Sequence, residues 1–332
     1  MDQHIIIIAV VILALSFDFI NGFHDTANSI ATAISTKALK PAYAIMLAAS
    51  MNLLGALVFT GVAKTVGGKV ANPANIEHGV YVVATALVAA IIWNLFTWFY
   101  GIPSSSSHAL IGSLAGAVIA AAGISAVNLA GFLSIIESLI LSPLLAFTVG
   151  YIIMSIIRVI FANFSPHKIN AKFRSLQILT AAFQSFSHGT NDAQKTMGII
   201  TFALVAGGYQ SSVEVQTWVK VSAAVAMALG TSVGGWRIIK TIGTKIIKFE
   251  PASGFAADLS SAMVIISATL IQLPVSTTHV ISSAIMGVGS AKRFSSVQWG
   301  TAITMVSAWV ITLPVTMILA GITFLIVKFL FL

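Results

Sequence analysis

The chain has 332 residues, of which 58% are hydrophobic and only 8% are charged, and its mean hydropathy is +0.99. A soluble domain carries roughly 25% charged residues, so this composition predicts a polytopic membrane protein whose main partner is the lipid bilayer. The absence of cysteine excludes a disulfide framework and a thiolate metal site. Lysine and arginine outnumber aspartate and glutamate by 17 to 9, but most of these cations lie between apolar runs, where they set membrane topology. We therefore expect no nucleic-acid partner.

The first apolar run, residues 5–17, leads into a polar stretch rather than into a loop. Residues 18–29 read DFINGFHDTANS and place Gly22, Asp25 and Asn28 among apolar neighbours. Polar and ionisable residues inside a membrane are costly, so we interpret this stretch as a functional site. The glycine beside it predicts that the helix is broken there, as in the binding sites of transporters.

Apolar runs and short polar breaks alternate through the next part of the chain. We predict membrane spans at residues 42–62, 80–100 and 132–161, the last of them either bent or in two parts because it contains Pro143. Residues 64–79 contain paired glycines and a proline, and they are predicted as a loop.

The most polar stretch of any length is residues 163–175. Its lysines, arginine and histidine predict a cytoplasmic linker by the positive-inside rule. It divides the chain into an N-terminal transmembrane repeat, residues 1–162, and a C-terminal transmembrane repeat, residues 176–332. In the second repeat we predict a span at residues 219–233 and a basic loop at residues 236–251.

The two halves repeat each other at two nearly equal offsets. An offset of 167 residues places residues 18–29 on residues 185–196, which read SFSHGTNDAQKT. An offset of 171 places residues 103–108 (PSSSSH) on residues 274–279 (PVSTTH). An odd number of spans in each half, about five plus a re-entrant piece, favours repeats of inverted topology.

The polar stretches supply groups that suit a cation. Asp25 and Asn28 are three residues apart, as are Asp192 and Lys195, so each pair shares one helix face. Carboxylate and carboxamide oxygens are ligands that a small cation such as sodium prefers, and a buried carboxylate can equally carry a proton. Helix capping by the aspartates is a compatible structural alternative. Lys195 either neutralises Asp192 structurally or faces an anion.

Each serine- or threonine-rich stretch is a typical helix start, with a proline, several hydroxyls and a following apolar run. Free backbone N–H groups and the positive end of the helix dipole favour an anion such as phosphate or sulfate there. The predicted donors to the anion are Ser104, Ser105, Ser106, Ser107, Ser276, Thr277 and Thr278. Ordinary helix capping is the alternative, although four consecutive serines exceed what a cap requires. His108 and His279 contact the substrate or a proton, or they are structural hydrogen-bond partners.

Three further acidic residues lie in apolar surroundings: Asp18, Glu137 and Asp258. We expect all three to face the protein interior rather than lipid.

Residues 19–28 (FINGFHDTAN) and 188–192 (HGTND) resemble the duplicated signature of the inorganic phosphate transporter (PiT) family. Residues 103–108 and 274–279 resemble its re-entrant hairpin tips. The resemblance is to the short bacterial low-affinity phosphate permeases and covers essentially the whole chain. It implies an all-α polytopic membrane protein with two inverted-topology repeats, broken helices and two re-entrant helical hairpins.

The resemblance also implies roles for particular residues. Cation coupling, with Na⁺ or H⁺ as the ion, would be served by Asp25, Asn28, Asn191 and Asp192, and the hydroxyls of the hairpin tips would hold phosphate. The chain departs from the family pattern at three positions: His24, Asn52 and Lys195.

Together, these features predict a secondary transporter and not an enzyme. We expect cation-coupled symport of inorganic phosphate, bare or as a metal-phosphate complex, across the plasma (inner) membrane by alternating access, with no cofactor besides the coupling cation. A homodimer is expected from the family. The same fold selective for sulfate or another tetrahedral oxyanion is the alternative. An intramembrane serine hydrolase would need a single activated nucleophile rather than tandem hydroxyls, and an anion channel would not need paired aspartates.

Overall fold

A computed structural model describes residues 3–72 and 76–332. Within these residues twelve α-helices follow one another, joined by short connections. They are α1 (Gln3–Ser35), α2 (Pro41–Ala56), α3 (Gly61–Lys69), α4 (Gly79–Tyr100), α5 (Ser106–Ala122), α6 (Leu129–Ile160), α7 (Pro166–Ala206), α8 (Thr217–Val233), α9 (Trp236–Lys245), α10 (Pro251–Leu270), α11 (Thr277–Lys292) and α12 (Trp299–Phe331). Short 3₁₀ turns precede α6 and α12. The described residues form no β-strand beyond one isolated bridge between Ala71 and Val127.

Five helices among the described residues are long and apolar enough to cross a membrane: α1, α4, α6, α10 and α12. Helices α2 and α3 meet at a 71° bend and would make a sixth span if they count as one. Helices α5 and α11 have only 17 and 16 residues, somewhat short for a hydrocarbon core of about 30 Å at about 1.5 Å per residue. The prediction of an all-α polytopic membrane protein is confirmed.

The second six helices follow the same order as the first six. In each half a long helix is followed by two shorter helices, a further helix, a short helix that starts at a serine- or threonine-rich stretch, and a long final helix. The halves interlock, because α5 packs against α12 and α11 packs against α6. Likewise α1 packs against α8 and α7 against α2. The inverted orientation of the two repeats and the re-entrant insertion of the hairpins remain predictions.

Helices α1 and α7 run without interruption through the polar stretches, so the predicted breaks at Gly22 and Gly189 are wrong. Close helix packing explains these glycines. A Cβ atom on Gly22 would lie 2.4 Å from the Met227 carbonyl oxygen in α8, and one on Gly189 would lie 2.3 Å from the Asn52 carbonyl oxygen in α2. Because both obstacles are backbone atoms, only glycine allows the two helix pairs to approach this closely.

Two predicted loops contain short helices instead. Helix α3 occupies part of residues 64–79, and α9 occupies most of residues 236–251; residues 73–75 of the first loop lie outside the described part of the chain. The lysines and the arginine of residues 236–251 led to the prediction of a solvent-exposed loop. The segment instead forms the amphipathic helix α9, in which Ile238 and Ile242 are buried and Lys240 is exposed.

The predicted linker, residues 163–175, is largely helical, because α7 already begins at Pro166. The Ser165 hydroxyl caps this helix by accepting a hydrogen bond from the Lys168 N–H at 3.4 Å. The cytoplasmic position of this segment and the division at residues 162 and 176 remain predictions.

Of the three isolated acidic residues, two face inward as expected. Asp18 and Asp258 are 0% and 2% exposed. The expectation for Glu137 is wrong, because it is exposed on α6, beside the exposed Leu133 and Leu141. The helix period places these three residues on one face, and none of the described helices covers that face at Glu137.

Candidate functional site

The two predicted anion-binding stretches lie at the start of α5 and α11. Ser105 is the N-cap of α5 and accepts a hydrogen bond from the His108 N–H at 3.1 Å. Ser276 is the N-cap of α11 and accepts one from the His279 N–H at 3.3 Å. The alternative of ordinary capping therefore applies to these two serines. The remaining hydroxyls are available for other contacts.

The two helix starts meet each other. Ser107 donates a hydrogen bond to the Val275 carbonyl oxygen at 3.1 Å, and the rings of His108 and His279 lie 4.6 Å apart between their centroids. The first N–H groups of an α-helix have no partner within the helix, and the helix dipole is positive at that end. Two such ends directed at one place create a positive potential that favours an anion.

Asp25 of α1 lies directly beneath these helix starts. Its carboxylate accepts hydrogen bonds from Ser106 at 2.7 Å and from Thr278 at 3.0 Å, one hydroxyl from each half of the chain. Asn28, one turn further along α1, donates to the Thr278 hydroxyl at 2.8 Å. On the other side, His24 Nδ1 lies 2.9 Å from the Asp25 carboxylate. Asp25 and Asn28, which the sequence predicts to serve cation coupling, are therefore in direct contact with the two predicted hairpin tips.

Asp192 of α7 has the equivalent place in the second half. Its carboxylate accepts a hydrogen bond from Thr277 at 3.0 Å and forms an ion pair with Lys195. The Lys195 ammonium also donates to the Ser107 hydroxyl at 2.6 Å and to the Val275 carbonyl oxygen at 2.7 Å. The sequence predicts that Lys195 either neutralises Asp192 or faces an anion. In this conformation it forms the ion pair with Asp192.

The carboxylates of the two halves are close together. Asp25, Asp192 and His188 each offer one ligand atom, and these atoms lie within 4.8 Å of one another. His188 Nε2 is 3.2 Å from the Asp192 carboxylate, and its Nδ1 is 3.1 Å from the Asn52 amide oxygen. All of these side chains are buried. Carboxylate oxygens and a histidine nitrogen are groups that can hold a cation.

Two of the predicted residues lie at the edge of this cluster. The Asn191 amide makes two hydrogen bonds to the backbone around the second predicted tip, residues 274–279. Its oxygen accepts a hydrogen bond from the Val275 N–H at 3.2 Å, and its nitrogen donates one to the Leu273 carbonyl oxygen at 3.2 Å. Ser104 donates to the Thr97 hydroxyl at 2.9 Å. In this conformation the two side chains hold the tips in place and do not contact the carboxylates of Asp25 or Asp192 through a hydrogen bond.

The cluster is enclosed by protein. None of the predicted site residues is more than 8% exposed, and Asp192 and Ser104 are 0% exposed. A separate cavity of 620 Å³ adjoins His108 and His279, but its walls are apolar side chains of α6 and α12, such as Leu139 and Val310. That cavity is therefore chemically unsuited to a multiply charged anion.

The sequence predicts no role in the functional site for three residues that complete it, although Asn52 is expected to hydrogen-bond between helices. His188 contacts Asp192, Asn52 holds His188, and Thr97 joins His24 to Ser104. His188 lies within the polar stretch of α7, one helical turn before Asp192, and this spacing is a signal that could have identified it. Thr97 lies inside an apolar span and carries no such signal.

Buried carboxylates, a buried lysine and paired helix starts in the interior of a polytopic helical protein define a class: integral membrane transport proteins. The family model described as "Phosphate transporter family" matches residues 21–320. The chain belongs to this phosphate transporter family, which confirms the resemblance seen in its motifs.

Individual relatives agree with this placement. The chain is 57% identical to the "Probable low-affinity inorganic phosphate transporter" of Bacillus subtilis (strain 168) over 98% of both chains. It is 43% identical to the protein of the same name from Rhizobium meliloti (strain 1021) over 96% of both chains. A solved structure entitled "The sodium-dependent phosphate transporter" shares the fold, with a TM-score of 0.86, 24% identity and coverage of 98% of this chain and 99% of that one. These relatives are named as transporters, as expected for a protein that is not an enzyme.

Proposed function

We propose that this protein carries inorganic phosphate across the plasma membrane together with a cation, Na⁺ or H⁺, by alternating access. One observation carries the proposal. Hydroxyls at the starts of α5 and α11 donate hydrogen bonds directly to the carboxylates of Asp25 and Asp192. An anion site and a cation site that share hydrogen bonds can be filled together. The names of the relatives, which specify inorganic phosphate, support the choice of substrate.

Phosphate would bind where the two helix starts meet. Ser106, Ser107, Thr277 and Thr278 would turn their hydroxyls from the carboxylates and the Val275 carbonyl to the oxyanion. The first backbone N–H groups of α5 and α11 would add further donors. Ser104, Ser105 and Ser276 would support the tips through the contacts already described, and His108 and His279 lie close enough to the tips to approach the substrate.

The coupling cation would bind at the carboxylates. Asp25 and Asn28 share the Thr278 hydroxyl, so three oxygen-bearing side chains already adjoin one another. Asp192 and Asn191, also predicted for coupling, are engaged by Lys195 and by the second tip. An incoming anion deprives Asp25 of its hydroxyl donors, and a cation would then compensate its charge.

Alternating access follows from the burial of the site. Every predicted contact is shielded from solvent, so the substrate can enter only after the tips separate from α1 and α7 on one side. The halves interlock through α5 with α12 and α11 with α6, so each tip moves with a helix of the opposite half. Movement of one such unit against the other would open the site to each side in turn.

Phosphate is favoured over sulfate by the two carboxylates near the anion site. Monohydrogen phosphate carries a hydroxyl that can donate a hydrogen bond to Asp25 or Asp192, whereas sulfate has no proton to donate and would face the carboxylates unpaired. A permease for sulfate or another tetrahedral oxyanion remains the second candidate function because the hydroxyl donors suit any oxyanion.

The test is uptake of radiolabelled phosphate by proteoliposomes that contain the purified protein. Sodium and proton gradients are imposed separately, with and without sulfate as competitor and with and without Mg²⁺ to detect a metal-phosphate complex. Uptake that one gradient drives and sulfate leaves unchanged supports the proposal and identifies the ion. Uptake that sulfate blocks supports the second candidate, and no uptake of radiolabelled phosphate or, in a parallel assay, of radiolabelled sulfate contradicts both. Light scattering of the purified protein in detergent measures whether it is the expected homodimer.

A further inference from the structure

The internal repeat places an amide and an ammonium at equivalent positions beside the two coupling carboxylates. An offset of 167 residues matches Asp25 with Asp192 and also Asn28 with Lys195. The hydrogen bonds of Asn28 and Lys195 are also related by the repeat. Asn28 donates to Thr278 at the tip of the second half, and Lys195 donates to Ser107 at the tip of the first half. Thr278 and Ser107 are themselves matched by the offset of 171 residues.

The surroundings of the Lys195 ammonium are those of a bound cation. Its partners are a carboxylate oxygen of Asp192, the hydroxyl of Ser107 and the carbonyl oxygen of Val275. Carboxylate and carbonyl oxygens are ligands that hold small cations in proteins, and a hydroxyl oxygen can add a further contact. An ammonium has three N–H donors, and all three are used here, so none is left for a substrate in this conformation.

The first half offers an oxygen where the second half offers the ammonium. The amide oxygen of Asn28 is buried and has no hydrogen-bond partner among the described residues. It belongs to a side chain that touches the Thr278 hydroxyl, which in turn touches the Asp25 carboxylate. A carboxylate, a hydroxyl and an unpaired amide oxygen form an incomplete ligand set that a mobile cation would complete.

We propose that Lys195 is a built-in cation that permanently fills one of two repeat-related cation sites, leaving the Asp25 site as the one that exchanges its cation. The inference rests on the proposed function, because it concerns how many cations move with each phosphate. A chain with an amide at both positions would bind one more cation than this chain does. Lys195 therefore lowers the number of cations transported per phosphate by one.

The experiment is equilibrium binding of radiolabelled Na⁺ to the purified full-length protein. We expect the unaltered chain to bind at most one Na⁺. Lys195→Asn, which copies the first half, should bind one Na⁺ more than the unaltered chain. The double variant Lys195→Asn/Asp192→Asn should lose that additional ion. The matched control is Lys64→Asn, because Lys64 pairs with Glu214 at 3.4 Å on the exposed surface and its removal should add no ion.

Several outcomes would overturn the inference. One is that the unaltered chain binds two Na⁺ ions. Another is that Lys195→Asn binds no additional Na⁺, and a third is that the double variant Lys195→Asn/Asp192→Asn keeps the additional Na⁺. A higher KM for phosphate in Lys195→Asn without extra Na⁺ would instead make Lys195 a substrate contact, which also overturns it. Helical content and elution volume verify that the variant is folded, and the count for the unaltered chain tests the inference even if the variant is not. Phosphate uptake in the same preparation tests the proposed function separately.

Discussion

Ser106 donates a 2.7 Å hydrogen bond to Asp25, although 81 positions of the chain separate the two residues. The hydroxyl belongs to the end of α5 that we propose binds the anion, and the carboxylate belongs to the stretch of α1 that we propose binds the cation. One hydrogen atom therefore links the two sites. A change in the occupant of either proposed site would alter the hydrogen-bond partner that the other site needs, and this would give the proposed coupling a physical basis.

Asp25→Asn should abolish cation-driven phosphate uptake while leaving the fold intact. The amide can no longer neutralise a cation, and its NH2 group is a donor that would face either the Ser106 or the Thr278 hydroxyl, each of which now donates to a different oxygen of Asp25. Hydrogen bonds to a charged group contribute about 1.5–3 kcal/mol each, so we expect a loss of at least about tenfold in uptake rate. Proteoliposome uptake measures the effect.

The control for this experiment is Glu137→Gln, which neutralises an exposed carboxylate on α6 away from the site. Its uptake should equal that of the unaltered protein. Normal cation-driven uptake by Asp25→Asn would refute the role of Asp25 in coupling.

Thr277→Val should reduce phosphate uptake, and Thr277→Ser should restore it. Valine keeps the shape of threonine but lacks the hydroxyl that donates to Asp192 at 3.0 Å, so both the phosphate donor and a partner of the carboxylate are lost. Loss of one buried partner costs about 1–3 kcal/mol, which corresponds to roughly a fivefold to hundredfold effect. Initial rates over a range of phosphate concentrations separate an effect on KM from one on the maximal rate.

Thr304→Val is the matched control for this pair, because Thr304 is exposed and its hydroxyl bonds only to the carbonyl of Gly300 in its own helix. We expect it to transport normally. Equal rates for Thr277→Val and Thr304→Val would show that the Thr277 hydroxyl has no part in transport.

Much of this arrangement could be predicted from the sequence because it depends on composition and on the repeat. Low charge and long apolar runs required helices in a membrane. The two offsets brought Asp25 and Asp192, and the two serine- and threonine-rich stretches, into correspondence, and the structure indeed brings all four into contact. A repeat that duplicates a costly polar group is informative without any knowledge of the fold.

The structural predictions were wrong where one residue type is compatible with two different local structures. Gly22 and Gly189 can permit either an unwound backbone or a close helix crossing, and only the neighbouring helices α8 and α2 determine which one applies. The basic residues of α9 can mark either a loop or the exposed face of an amphipathic helix. Long-range partners such as Thr97, which lies 73 positions from His24, carry no local sequence signal.

Gly189→Ala should destabilise the protein, because the added Cβ would lie 2.3 Å from the Asn52 carbonyl oxygen and would force α7 away from α2. Overpacking of this kind costs about 1–3 kcal/mol. We expect the midpoint of thermal denaturation in detergent to fall by several °C. Because Asn52 also holds His188, uptake should fall as well.

Gly300→Ala provides the comparison, since a Cβ atom at Gly300 would meet nothing within 4 Å. Because alanine is a better helix former than glycine, the midpoint of thermal denaturation of Gly300→Ala should stay the same or rise slightly. A midpoint for Gly189→Ala equal to that of Gly300→Ala would mean that the α2–α7 crossing does not depend on the absence of a side chain.

Trp309→Phe tests whether the two tips must be held together for transport. The Trp309 indole N–H donates to the Pro103 carbonyl oxygen at 3.1 Å, and its ring stacks on His279 with 4.1 Å between ring centroids. One side chain of α12 therefore touches both tips. Phenylalanine keeps a ring for stacking but releases Pro103, so the first tip loses a fixed partner while the carboxylate sites remain unchanged. We expect the maximal rate of uptake to fall severalfold, with the cation concentration for half-maximal uptake unchanged.

Trp218→Phe is the matched control, because the Trp218 indole N–H also donates a hydrogen bond, to Gln216 at 2.5 Å, but the residue is exposed at the start of α8. Its uptake should match that of the unaltered chain. A fall in Trp309→Phe that is accompanied by weaker cation dependence would place the effect at Asp25 or Asp192 rather than at the tips. An equal rate in the two variants would show that the bond to Pro103 is dispensable, and the tips would then be positioned by the hydroxyl contacts to Asp25 and Asp192 alone.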